Sequence, residues 1–311
     1  MAAFWAGTIP ALVAVGLGAQ LIGAPLRRLV RRRFRGNAHR DPLLPEESVG
    51  GGFDGPHHLV HLVIDVFHAH FHRGEKILPG AEVGGVEQDH AAFLDFVYTN
   101  TFSTLKQGRV RYGLMLREDG FVGDDGTTSR LGDNHFFMTT TTGHAAQSMR
   151  DIEFSHQALW PELDVQYVSV TDEWAQMAIA GPKSREVLAS VVDAELSNEA
   201  FPFLAAGEVT VLGHIPGRLF RISFSGEHAY ELAVPSRHGE ALFRDLVARA
   251  EALGGAPYGM EALNVLRIEK GFITHAEIHG RVTAFDIGLQ GMMSKKKDFI
   301  GKGASQRPGL S

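Results

Sequence analysis

From about residue 90 onward, apolar positions recur at two spacings in turn, every second residue and then every three to four, which predicts strands and helices in alternation. AAFLDFVYTNTF predicts a short amphipathic helix that stops near Thr99-Asn100, and RYGLMLR predicts a strand. NHFFMTTTT, aromatic and β-branched, predicts another strand ending at Gly143, after which His144 to His156 returns to helical spacing. QMAIAGPKSREVLASVV predicts an apolar strand, a break at Gly181-Pro182 and a helix from Lys183, with Pro182 near the first turn where a missing N–H is tolerated. LFRISFSGEHAYELAVP predicts two strands about Ser225-Gly226-Glu227. Helices are predicted from Arg237 to Ala252 and from about Gly259 to Lys270, the second closed by Gly271 as C-cap. No internal repeat stands out, and the expected fold class is α+β.

One polar interruption in this pattern carries candidate chemistry. In RYGLMLREDGFVGDDGTTSR two adjacent carboxylates, Asp124 and Asp125, lie between Gly123 and Gly126. On local grounds Gly-Asp-Asp-Gly is hairpin punctuation, so a turn is predicted there. If the pair is instead held inward, like charge and burial raise at least one carboxyl pKa, and a cation, a donor or solvent must meet it.

Composition narrows the classes. With 311 residues and 44% hydrophobic content, the chain can bury one large core or two smaller ones. It has no cysteine, which excludes disulfides, thiolate catalysis and Cys-ligated zinc. Seven of the 30 basic residues fall in the first forty positions, which hold no acid, so the remainder sets 23 basic residues against 36 acidic ones. Outside Lys295 to Lys297 this body lacks a clustered basic surface, and nucleic acid is not an expected partner.

The first 88 residues have a different character. Met1 to Leu26 carries no charge and precedes RRLVRRRFR, the order of an apolar membrane segment with a basic flank. Its glycines, with Pro10 and Pro25, dilute the apolar run, and a cytoplasmic location without a membrane anchor is expected. HHLVHLVIDVFHAHFH then holds six histidines in sixteen residues, and His68, His70 and His72 alternate on one strand face. The nearest acid, Asp65, falls on the opposite face, so no metal site is assigned.

Three further polar groups interrupt apolar elements: Glu227 at the strand-strand junction, and Arg267 and Glu269 near the end of the last long helix. Locally each has a structural explanation, as turn chemistry, a helix-dipole contact or a surface ion pair. Together, however, FLDFVYTNTFSTLKQGRVRYGLMLREDGFVGDDGTTSRLGDNHFFMTTTT, HQALWPELDVQYVSVTDEWAQMAIAGPKSREVL, SGEHAYELAVP and PYGMEALNVLRIEKGFITHAEIHGRVTAFDIGLQGMMSKKKDFIGK occur in one order over about Ala91 to Pro308. This set resembles the aminomethyltransferase fold family of the glycine-cleavage T-protein type. Its nearest likeness is to the C-terminal folate-binding region of heterotetrameric sarcosine oxidase alpha subunits.

The resemblance implies a T-protein-like folate-binding fold of antiparallel sheets with flanking helices over residues 89–311, lacking the C-terminal β-barrel. It implies tetrahydrofolate as ligand, with Asp125 the key carboxylate beside its reacting amines and Glu227 the acid that accepts hydrogen bonds from the pterin ring. Arg267, Phe220, Phe224 and Tyr112 join the implied folate-binding set; the two phenylalanines stand where relatives often carry tyrosine. The implied reaction converts sarcosine, tetrahydrofolate and oxygen to glycine, 5,10-methylenetetrahydrofolate and hydrogen peroxide. FAD, FMN and NAD are expected on beta, gamma and delta partner subunits or on further domains. A stand-alone aminomethyltransferase, or a folate-binding protein without turnover, are the alternatives.

The sequence also departs from the family. Residues 1–88 do not look like it and contain no G-x-G-x-x-G followed by a helix; a misassigned start would explain the change of character. His279 stands where relatives usually have an acid, and Ala284 where a proline is usual after Thr283.

Overall fold

In a computed structural model of the chain, the described residues are 61–64, 69–71 and 89–310, the first two stretches as backbone only. Two sheets carry the fold. The first contains β1 (His61–Ile64), β7 (Trp174–Ala180), β8 (Ala206–Val211), β9 (Ile215–Phe220), β10 (Ala229–Pro235) and β11 (Ala256–Pro257), in the order β11-β1-β7-β10-β9-β8. The second contains β2 (Ala69–Phe71), β3 (Arg109–Leu116), β4 (Val122–Gly132), β5 (His135–Met138) and β6 (Tyr167–Ser169), in the order β3-β4-β5-β2-β6. Pairing is antiparallel except between β1 and β11. The segment set apart as 1–88 thus supplies a strand to the interior of each sheet. The Arg-rich start, the apolar run before it and the side chains of His68, His70 and His72 lie outside the described residues.

Helices cover both sheets. α1 (Asp89–Val97) and α2 (Ala145–Phe154) lie over the second sheet, where Phe93, Leu94, Tyr98 and Ile152 share a core with Met115, Phe136 and Met138. α3 (Ser184–Ala189) and α4 (Gly239–Ala252) cover the first, packing Val187, Leu188, Leu242 and Leu246 against Ile179, Leu219 and Leu232. α5 (Met260–Lys270) follows, and α6 (Lys302–Ser305) closes the described chain. Gly271 ends α5 in the left-handed conformation, φ 79°, and its N–H bonds back to the carbonyl of Ile268, as the C-cap expectation requires.

The two sheets meet at a seam. Val110 and Phe137 from the second pack with Ala206, Phe220 and Ala233 from the first, and the Phe137 and Phe220 rings stack at 5.4 Å between centroids. Main-chain bonds reinforce the junction: Val110 N–H donates to the Leu204 carbonyl and Ala206 N–H to that of Gly108. The Lys295 to Lys297 run is not a uniform basic surface, because the Lys297 ammonium turns inward to the carbonyls of Asp95 and Tyr98. Burial first, then the charge of Lys302, lowers its pKa to about 8, with Asp95 and Asp298 opposing.

Candidate functional site

The predicted turn at Gly123-Asp124-Asp125-Gly126 is instead the first half of β4, an eleven-residue strand between β3 and β5. Pairing on both sides overrides the weak strand preference of Asp and Gly. Gly126 is there for closeness: a Cβ would lie 1.9 Å from the Thr139 carbonyl oxygen. The strand's pleat then sends the two acids to opposite faces. Asp124 lies across from Met115, on the helix-covered face, and Asp125 across from Leu114, on the face that Tyr112 shares.

Asp125 is partly buried. It accepts a 2.6 Å hydrogen bond from Tyr112 Oη on Oδ2 and a 3.4 Å bond from Thr141 Oγ1 on Oδ1. Burial, then the Asp124 charge, raises its pKa to about 6 against the lowering effect of the Tyr112 and Thr141 hydroxyls and of His144. The same burial and the Asp125 charge hold the Tyr112 hydroxyl far above its ordinary range, so it stays a donor. Behind the strand, Asp124 is 3% exposed; Ser148 Oγ donates to its Oδ2 at 2.7 Å, and His144 Nδ1 lies 3.7 Å from Oδ1. Thr141, His144 and Ser148 were not singled out from sequence. The usable signal was the threonine run after the aromatic strand, together with the i,i+4 spacing of His144 and Ser148.

Glu227 occupies the connection between β9 and β10. Gly226 before it sits at φ 78°, beneath the Lys270 side chain, a position that favours glycine. The Glu227 carboxylate is exposed, and no hydrogen bond or ion pair to it is formed among the described residues. Nearby, burial and the charges of Glu231 and Glu227 push the Tyr258 hydroxyl up to about 12, against a bond with Ser225. Phe224 stacks on Phe272 at 6.4 Å, and Phe272 is 41% exposed, so this pair presents aromatic surface beside Glu227.

Two of the implied ligand residues take other roles. Phe220 is 2% exposed and belongs to the sheet seam, where strand alternation places it, so its ring is closed to a ligand. Arg267 is 5% exposed and braces neither Glu227 nor Glu269: it bonds Glu277 at 2.7 Å and the Phe272 carbonyl at 3.1 Å. Burial raises the Glu277 carboxyl, but bonds from Arg267 and Thr274 outweigh it and set the group below its usual range. Arg267 therefore fixes the segment after α5, which carries Phe272.

That segment spans the two halves of the candidate site. Phe272 stacks on Phe224 of the Glu227 loop, while Ile278 and Ala284 pack with Leu114, Leu116 and Val122, and Val122 N–H bonds the Val282 carbonyl. Ala284, the departure from proline, is fully inside this cluster, whereas His279 is exposed. No bond or ion pair links Asp125 directly to Glu227 among the described residues. Two surface hollows, of about 650 and 370 Å³, are lined by neither.

Fold and site together define an α+β aminomethyltransferase-type domain. In fold, the chain is similar to the glycine cleavage system aminomethyltransferase T from Bartonella henselae, with a TM-score of 0.64 and 22% identity over 80% of this chain and 63% of that one. Residues 80–297 match the GCVT N-terminal domain, and the chain belongs to that family. It is 57% identical over 225 residues to the sarcosine oxidase subunit alpha of Rhizobium meliloti (strain 1021), covering 72% of this chain and 23% of that protein. Against an aminomethyltransferase of Streptomyces coelicolor, identity is 30% over 236 residues, covering 75% of this chain and 60% of that protein. The chain thus spans less than a quarter of the length of the sarcosine oxidase relatives it matches.

Proposed function

We propose that this chain is the folate-binding, methylene-transferring region of a sarcosine oxidase alpha subunit. The observation that carries the proposal is the Asp125 carboxyl: partly buried, held by two hydroxyls and titrating near pH 6, within reach of a proton transfer at neutral pH. Identity of 57% to a protein of that name supports the sarcosine oxidase branch over the 30% relative.

The donor and acceptor set fits tetrahydrofolate. Glu227 offers two unshared carboxylate oxygens to a ring N–H and an exocyclic amine, and Phe224 with Phe272 offers a stacking face. Tetrahydrofolate supplies, when bound, the nitrogen nucleophiles that take up a one-carbon unit. As the carboxylate, Asp125 stabilises positive charge on an amine held beside it and then accepts that amine's proton, becoming neutral; Tyr112 and Thr141 fix the group so that it need not reorient. Asp124 stays on the far face and acts through its charge alone. Oxidation of the amine, with its FAD, FMN and NAD, falls to beta, gamma and delta subunits and further domains in this proposal.

Titration of the full chain with tetrahydrofolate, followed by co-expression with the three partner subunits and assay of 5,10-methylenetetrahydrofolate, tests it. Folate binding with product formation in the complex is expected. Binding without product would leave a folate-binding protein, and no binding would remove the folate site altogether. Glu227→Ala is expected to weaken tetrahydrofolate binding by roughly 1–3 kcal/mol through lost charge-assisted bonds. Because the side chain is exposed, the circular dichroism spectrum should not change, and unaltered calorimetric affinity would exclude Glu227 from the ligand.

A further inference from the structure

The larger of the two surface hollows, of about 650 Å³, opens between α3 and the β9–β10 connection, and two arginines and a histidine line it. Arg185 comes from α3, Arg221 from just after β9 and His228 from just before β10, with Asn198 beside them. All three basic side chains are partly buried, and they rest on one rigid base. Tyr230 is fully buried; its hydroxyl receives Arg185 Nε at 3.2 Å and meets His228 Nε2 at 3.2 Å. The Arg221 guanidinium lies 5.9 Å from the Tyr230 ring centroid, with one N–H bonded to the Phe201 carbonyl at 2.7 Å.

Charge balance is what sets this enclosure apart. Neither guanidinium takes part in any ion pair among the described residues, although Glu186 stands on the rim. Arg185 spends Nε on Tyr230 and one terminal nitrogen on Asn198, which leaves its other terminal nitrogen without an acceptor among the described residues. Arg221 likewise keeps Nε and one terminal nitrogen open. Burial first, then the Arg221 and Arg185 charges, lowers the His228 pKa, so both guanidiniums act on this ring. Two partly buried guanidiniums lining one hollow each carry a desolvation cost that an anion bound there would offset.

We propose that this hollow is a binding site for the anionic head, phosphate or carboxylate, of a small organic molecule. Arg185 and Arg221 would grip the head through their open N–H groups, whose planar fork suits either oxyanion. Asn198 and His228 complete the polar wall, while Pro182 and Ala189 give an apolar side for the organic body. The volume lies within the range of small-molecule sites and exceeds what an inorganic ion needs. The proposal stands apart from the folate reading, since none of the residues assigned to folate lines this hollow.

Calorimetric titration of the full chain at constant ionic strength, with sodium sulfate for a tetrahedral head and sodium glutarate for a planar one, tests it against sodium chloride. Saturable binding of at least one probe at one site per chain is expected, and the better probe names the head group. Arg185→Gln and Arg221→Gln are each expected to weaken it about tenfold, equivalent to the loss of one charge-assisted contact. Arg221→Lys, which keeps the charge, should retain part of the affinity, and thermal melts confirm that each variant is folded. Absence of saturable heat with both probes would overturn the proposal, as would affinity unchanged in the folded double glutamine variant.

Discussion

Asp125→Asn is expected to abolish methylene transfer in the complemented complex while making the chain more stable above pH 6. In the folded state this carboxyl titrates near 6, against 3.8 for an ordinary aspartate, so the native form holds its proton more tightly than the unfolded one. Stability therefore falls as pH rises from about 4 to about 6, and the whole cost of burying the charge is present above that window. The shift corresponds to an upper value of about 3 kcal/mol, and water reaching this partly exposed group brings it to about 1–3 kcal/mol. Asparagine is neutral and nearly isosteric, and its side-chain oxygen still accepts the Tyr112 bond. Melting temperatures should coincide for the two proteins near pH 3.5 and separate in favour of the variant at pH 8. Identical melting at pH 8, or unchanged product formation, would remove Asp125 from the role given to it.

Gly126→Ala is expected to be among the most damaging single-methyl changes in the second sheet. The added Cβ would meet the Thr139 carbonyl oxygen at 1.9 Å and its carbon at 2.8 Å, both backbone atoms that no rotamer change can move aside. β4 and β5 would have to part, and the Thr139 N–H bond to the Thr127 carbonyl, 2.8 Å long, would stretch or break. Overpacking of this kind costs about 1–3 kcal/mol where side chains can yield, and above about 3 kcal/mol is expected where only backbone can. Gly123→Ala makes a control three positions earlier, since its Cβ would meet the movable Arg117 side chain at 3.2 Å. Urea unfolding of both variants measures the contrast; equal midpoints would mean that the strands are not held as tightly as drawn.

These two positions also show what the sequence made legible. RYGLMLR, the helix before it and the helix closed by Gly271 followed from apolar spacing and one C-cap, because each is decided by contacts close in sequence. The Gly-Asp-Asp-Gly stretch was misread as a turn because strand residues there are chosen by their neighbours: β3 and β5 supply the hydrogen bonds, and Thr139 demands the glycine. Tyr112, assigned with Asp125 by resemblance, does meet it, on the same face of the sheet. Phe220 could not be placed by motif alone, since inward and outward differ by one residue of register. Arg267 was visible as a helix-terminal cation, but its partner Glu277 lies in an irregular segment without periodicity. The cationic hollow was invisible for a related reason: α3 and both ends of the β9–β10 connection contribute to it, and the shared Tyr230 base appears only when they fold together.

The aromatic seam has one further consequence. Because Phe137 and Phe220 stack across it and main-chain bonds cross beside them, neither sheet can melt without exposing the other's apolar face to water. Unfolding is thus expected to be cooperative across both layers, so a ligand bound at either proposed site, the folate site or the cationic hollow, should raise one shared melting temperature.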